Sequence, residues 1–295
     1  MEIVQNEKPI ETEEAAALNS SSKGFLALLI IGCSFLVFNV GGYNDFIPRE
    51  SILISRVSVV GILLLSTFIL YRSKGRWHEF WRLSFFFMIA SLGFLLAWFF
   101  GRWYQLIPGL STSTVEGAAV AKVAEVLPIV SAILVGLWLV EKDFAYFYLR
   151  GGDLKKSIKI GLLVSPAGLY AFVLLGGFGF SASLDTLATW IPWLIVFAFS
   201  NAFMEELMIR GLFLRRYESL FGRKQSLILT SVIFALFHLA IIGFTDFITF
   251  WIYLSIPLVL GLLWGYTIQK SENIWGAVLA HLIADVIFVL AIFGV

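Results

Sequence analysis

The chain has 295 residues, of which 59% are hydrophobic and 16% aromatic, while only 14% are charged. That balance is too apolar for a soluble globular domain and describes a polytopic membrane protein. A net charge of +1, with Lys and Arg at the ends of apolar runs and no single basic face, argues against a nucleic-acid partner.

Residues 1–23 are polar and acid-rich, with a Ser20-Ser21-Ser22 run. Such a segment cannot bury enough apolar surface to fold, and it is expected to be a disordered cytoplasmic tail. It has no basic start, and the apolar stretch after it has no small-residue cleavage site, so a cleaved signal peptide is not expected. Cys33 is the single cysteine and lies within an apolar run, which rules out an intramolecular disulfide and a cysteine metal site.

Apolar runs near the length of a bilayer crossing predict an all-α integral membrane protein with about nine transmembrane helices. They fall at roughly 25–43, 52–71, 83–100, 118–140, 159–180, 190–213, 225–243, 247–268 and 275–294. Arg72, Lys74, Arg76 and Arg82 follow the second span, and Lys142, Arg150, Lys155 and Lys156 follow the fourth. Arg215, Arg216, Arg223 and Lys224 follow the sixth, whereas the intervening connections hold only Arg49 and Arg102. By the positive-inside rule this alternation puts the N-terminus in the cytoplasm and the C-terminus outside, in a protein of the cell membrane.

No repeat or soluble domain interrupts the pattern. The chain divides into the tail at 1–23, N-terminal helices at 24–154 and a core at 155–295 that carries the polar residues. Gly261 and Gly265, four apart, allow close helix approach and are expected to serve packing within the chain.

Charged side chains inside spans each cost about 2.5–3.5 kcal/mol at mid-bilayer on insertion scales, so those present mark function or a partner. Lys122 and Glu125 in the fourth span, three apart, suit a mutual ion pair, with the lining of a polar cavity as the alternative. The rest concentrate in the C-terminal half: Glu205, Glu206 and Arg210, then His238, then His281 and Asp285. Glu206 and Arg210, four apart, can pair on one helix face, while Glu205 projects elsewhere with Asn201 one turn before it.

At 1.5 Å per residue, Glu205 lies about 15 Å from Arg215, His238 about 21 Å from Lys224 and His281 about 12 Å from Asn273. All three can therefore meet at one depth. Two histidines, an unpaired glutamate and an aspartate are the ingredients for activating water, either through a Lewis-acidic metal or through a carboxylate base. His78, in a basic loop, lacks the second histidine of the soluble zinc-protease motif and is assigned no chemistry. A serine nucleophile at Gly179-Phe180-Ser181-Ala182 has no histidine at its level.

Glu205-Glu206-x-x-x-Arg210, Phe234-x-x-x-His238 and His281-x-x-x-Asp285, in that order on three late spans, resemble the CPBP family, which includes type II CAAX prenyl endopeptidases and bacteriocin-processing or abortive-infection proteins. The resemblance covers about residues 155–295, with Gly211-Leu212-Phe213 and Ile274-Trp275-Gly276-Ala277 as fitting flanks. It implies an intramembrane endopeptidase in which Glu205 activates the attacking water. His238 would assist or bind a metal, and His281 and Asp285 would bind that metal or stabilise the oxyanion. Glu206 and Arg210 belong to the same motif. Members divide between Asn and Asp at the position of Asp285, and the family is described both as metalloprotease and as glutamate protease. The implied cofactor is thus a divalent metal such as zinc, bound by His238, His281 and Asp285, or none. The implied partner is a membrane-embedded or lipid-anchored peptide or protein within the bilayer. A non-catalytic immunity or scaffold protein, or a transporter, that keeps the polar cluster is the alternative reading.

Overall fold

The computed structural model describes residues 20–43, 47–174, 183–242 and 246–293. Most of the acidic tail, the serine at Gly179–Ala182 and the C-terminal residue Val295 therefore lie outside the described residues. Every regular element among those described is helical. In chain order they are α1 Ser20–Phe35, α2 Ile52–Arg72, α3 Trp81–Phe100, α4 Val115–Val140, α5 Leu154–Val164 and α6 Ala167–Leu174. Then come α7 Leu184–Glu206, α8 Leu212–Phe221, α9 Arg223–Phe237, the short α10 Leu239–Ile242, α11 Phe247–Ser271 and α12 Trp275–Phe293.

Among the described residues six helices are long and apolar enough to cross a membrane, and Trp275–Leu290 adds a shorter apolar helix. Of the nine expected runs, two are interrupted and a third is part of a longer rod. The run expected at 159–180 is divided because Pro166, which has no N–H to give, follows the end of α5 at Val164. The run expected at 225–243 stops at Phe237, where the His238 ring bonds the carbonyl of Phe234 at 2.9 Å and the chain leaves the helix. The sixth expected span is part of one rod, Leu184–Phe221, in which a π-helical turn at Leu207–Gly211 joins α7 to α8.

Polar side chains fix where several helices begin. Asp153, Ser183 and Asp246 accept from backbone N–H groups at the starts of α5, α7 and α11 and satisfy donors that the first turn leaves free. Aromatic residues then bind the early helices to the late ones. Phe38 meets Phe94, Phe213 and Phe237 edge-on at centroid distances of 6.4, 6.3 and 5.6 Å, and Phe87 lies 4.5 Å from Phe213. Rings packed in this way add attraction beyond the area they bury.

The bundle has two unlike ends. At the first, the connections around 72–82, 141–153, 215–223 and 269–274 are stitched together. Arg82 pairs with Glu141 at 3.1 Å, Arg215 with Glu272 at 2.7 Å, Gln269 donates to Glu218 at 2.7 Å, and Asn273 donates to the Gly151 carbonyl at 3.0 Å. At the second end the turns after α1, α3 and α9 surround the mouth of a large cavity.

Candidate active site

Three helices bring the polar residues together. The end of α7 carries Glu205 and Glu206, the end of α9 carries His238, and the middle of α12 carries His281 and Asp285. One stacked ring pair, Phe203 on Trp275 at 5.5 Å, joins α7 to α12, and within α7 Phe199 stacks on Phe203 at 6.0 Å.

Glu206 and Arg210 form the expected pair, with Arg210 Nη1 donating to Glu206 Oε1 at 2.9 Å and both side chains fully buried. The same Oε1 faces His281 Nδ1 at 3.0 Å. An oxygen that already accepts from a guanidinium accepts here as well, which places the Nδ1 proton on His281 and turns its Nε2 outward. Arg210 Nη2 donates to the Gly261 carbonyl at 3.2 Å. Gly261 makes this approach possible, since a Cβ there would stand 3.1 Å from Arg210 Nη2 and 3.3 Å from the Ser231 Cα. The glycine pair thus packs α11 against α9 and the π turn within the chain, as its spacing suggested. Phe234, 4.2 Å under the guanidinium carbon of Arg210, and Trp264, stacked 3.8 Å from the His281 ring, complete this support.

In front of it stands Glu205, whose Oε2 is buried and accepts no hydrogen bond among the described residues. That oxygen lies 3.7 Å from His281 Nε2 and 3.9 Å from His238 Nε2. His238 Nδ1 is 2.9 Å from the Phe234 carbonyl, which can only accept, so Nδ1 bears a proton and Nε2 is the ring atom turned toward Glu205. Asp285 Oδ1 lies 3.5 Å from His281 Nε2, and its Oδ2 accepts from Asn201 Nδ2 at 3.0 Å.

Glu205, His238, His281 and Asp285 line a cavity of about 980 Å³, whereas Glu206 and Arg210 sit behind its wall. The six expected residues therefore divide into four that can touch a ligand and two that orient them. His78 is remote, its Nδ1 bonded to the Tyr71 carbonyl at 3.0 Å in an exposed turn. The opposite wall comes from the early helices. Lys122 and Glu125 pair at 2.8 Å and line the cavity, and Tyr43, Trp98, Arg56 and Arg102 join them. Arg56 lies 5.1 Å from one face of Trp98, which Arg102 also approaches at 4.3 Å. Sequence reading passed over Arg56, although a guanidinium inside an apolar run was a signal of the same kind as Arg210. Asn201 entered only as the residue one turn before Glu205, and Trp264 was assigned no role.

Residues 187–287 match the family model described as type II CAAX prenyl endopeptidase Rce1-like. The match covers about a third of the chain. No curated protein and no solved structure matches the chain. The Rce1-like segment runs from early α7 into α12 and includes all six polar residues, while α1 to α6 lie before it.

Among the described residues no group of three or more His, Cys, Asp or Glu side chains is arranged to hold a metal ion. The donor atoms stand 3.5 Å (His281 Nε2 to Asp285 Oδ1), 3.7 Å (His281 Nε2 to Glu205 Oε2) and 3.9 Å (His238 Nε2 to Glu205 Oε2) apart.

Proposed function

We propose that this integral membrane protein is a CAAX-type endopeptidase that hydrolyses a peptide bond of a membrane-associated peptide, with water activated by Glu205. The observation that carries this reading is Glu205 Oε2, buried in the cavity wall without a hydrogen bond among the described residues and facing two imidazoles. A carboxylate oxygen and a lone-pair nitrogen 3.9 Å apart are both acceptors, and water, with two O–H donors, suits both at once.

The steps follow from that placement. Glu205 takes a proton from the water as its oxygen attacks the substrate carbonyl carbon, and His238 holds the second O–H. The oxyanion forms against the His281–Asp285 pair, where a proton held between His281 Nε2 and Asp285 hydrogen-bonds to it and stays with the pair as the carbonyl re-forms. Glu205 then passes its proton to the leaving nitrogen as the C–N bond breaks, which releases one new carboxylic acid and one new amine. Glu206 and Arg210 act through His281 by fixing its ring and tautomer. Residues 155–295 thus supply the chemistry, and 24–154 supply the opposite wall of the substrate chamber.

Purified protein in liposomes should cut a membrane-tethered reporter peptide, with product masses that place a single hydrolytic cut. The rate should persist after chelation, and elemental analysis should find no stoichiometric zinc. Stoichiometric metal lost in His238→Ala, together with chelator-sensitive cleavage, would replace this mechanism with a metal-bound one. Absence of cleavage by folded wild-type protein would remove the endopeptidase reading altogether.

A further inference from the structure

The two ends of the bundle differ both in charge and in access. The first end carries a group of Lys and Arg in each of the connections 72–82, 141–156 and 215–224. The second end has Arg49 and Arg102 as the basic residues of its turns. Such a difference in short connections is what sets the orientation of a membrane protein, with the cation-rich end in the cytoplasm.

The cation-rich end is also the closed one. Its connections are bridged by Arg82–Glu141, Arg215–Glu272 and Gln269–Glu218, and Tyr148, Phe213 and Tyr217 lie fully buried beneath them. Among the described residues the cavity that holds Glu205 opens the other way, past Gly42, Arg102, Tyr104, Thr112 and Ile242, which belong to turns or helix ends of the second face.

We propose that the site is reached from the side of the membrane opposite the cytoplasm, so that its substrate is a membrane peptide whose cleaved segment lies at the outer leaflet. This rests on the endopeptidase reading above and narrows it. A lipid-modified C-terminus displayed in the cytoplasm would meet the stitched face and not the mouth. The exposed Thr112 hydroxyl at the rim and the exposed Lys74 at the closed end supply markers for the two sides.

Single-cysteine proteins, Thr112→Cys and Lys74→Cys on a Cys33→Ala background, are treated with a membrane-impermeant maleimide in intact cells and in inverted vesicles. Leu106→Cys, in the same connection as Thr112, serves as a second marker should Thr112→Cys fail to accumulate. Labelling of the mouth cysteine in intact cells, and of Lys74→Cys only in inverted vesicles, is the expected result. Two reporters then carry one cleavable segment on the outer or the inner side, and only the outer should be cut. Loading Thr112→Cys with a bulky maleimide from outside should slow that cut by at least about tenfold. Labelling of the mouth from the cytoplasmic side, or cleavage of the inner reporter, would overturn the proposal. If labelling is as expected and neither reporter is cut, the access side stands and the endopeptidase reading falls.

Discussion

Glu205→Gln should reduce cleavage of the liposome reporter by about 10²–10⁴-fold, the range that a positioned general base contributes, while the protein inserts and melts like wild type. The replacement keeps size and shape. It also breaks no existing hydrogen bond of Oε2, because that oxygen accepts none among the described residues. What is lost is the capacity to take a proton from water. Rates and melting curves measured on the same purified samples separate chemistry from folding. Cleavage at the wild-type rate would remove Glu205 from the mechanism and leave His238 and Asp285 as the proton acceptors in the cavity wall.

The largest effect on stability is expected at Arg210. Arg210→Leu leaves Glu206 as a buried charge and removes a donor from the Gly261 carbonyl, at a cost of about 3–5 kcal/mol. Adding Glu206→Leu should recover part of that loss, because the unpaired charge goes with it. Recovery should be incomplete, since His281 Nδ1 then faces no acceptor, and a buried donor left unsatisfied costs about 1–3 kcal/mol. Arg210→Leu with Glu206→Gln should therefore be the more stable double variant, because the amide oxygen still accepts from His281. Thermal unfolding in detergent orders the three. Losses that simply add would mean that Glu206 and Arg210 do not interact.

The chemistry of the site was legible because it violates its surroundings. Glu205, Glu206 and Arg210 stand in an apolar run, and their spacing on a helix correctly paired Glu206 with Arg210 and left Glu205 apart. Depth counting along three helices was enough to bring His238 and His281 to Glu205. The span count was less legible, because hydropathy averages over breaks. It does not register that Pro166 divides one run or that His238 ends another by bonding its own helix. The second wall of the cavity was hidden for a different reason. Arg56, Trp98 and Arg102 come to face Glu205 only through the packing of early on late helices, and one chain's sequence carries no pattern for that contact. Trp264 was unreadable on the same ground, since stacking on an imidazole from another helix has no periodicity.

The π turn at Leu207–Gly211 has a consequence for what one rod can do. In an unbroken α-helix Glu206 and Phe213, seven positions apart, would share a face to within about 20°. The wider turn delays everything after it by about one residue, a rotation of about 100°, so Phe213 faces Phe38 and Phe87 while Glu206 stays on His281. The rod behaves as two helices out of phase that share a single axis. Its length in this stretch, more than its composition, sets the angle between the face that carries Glu206 toward His281 and the face that carries Phe213 into the closed end.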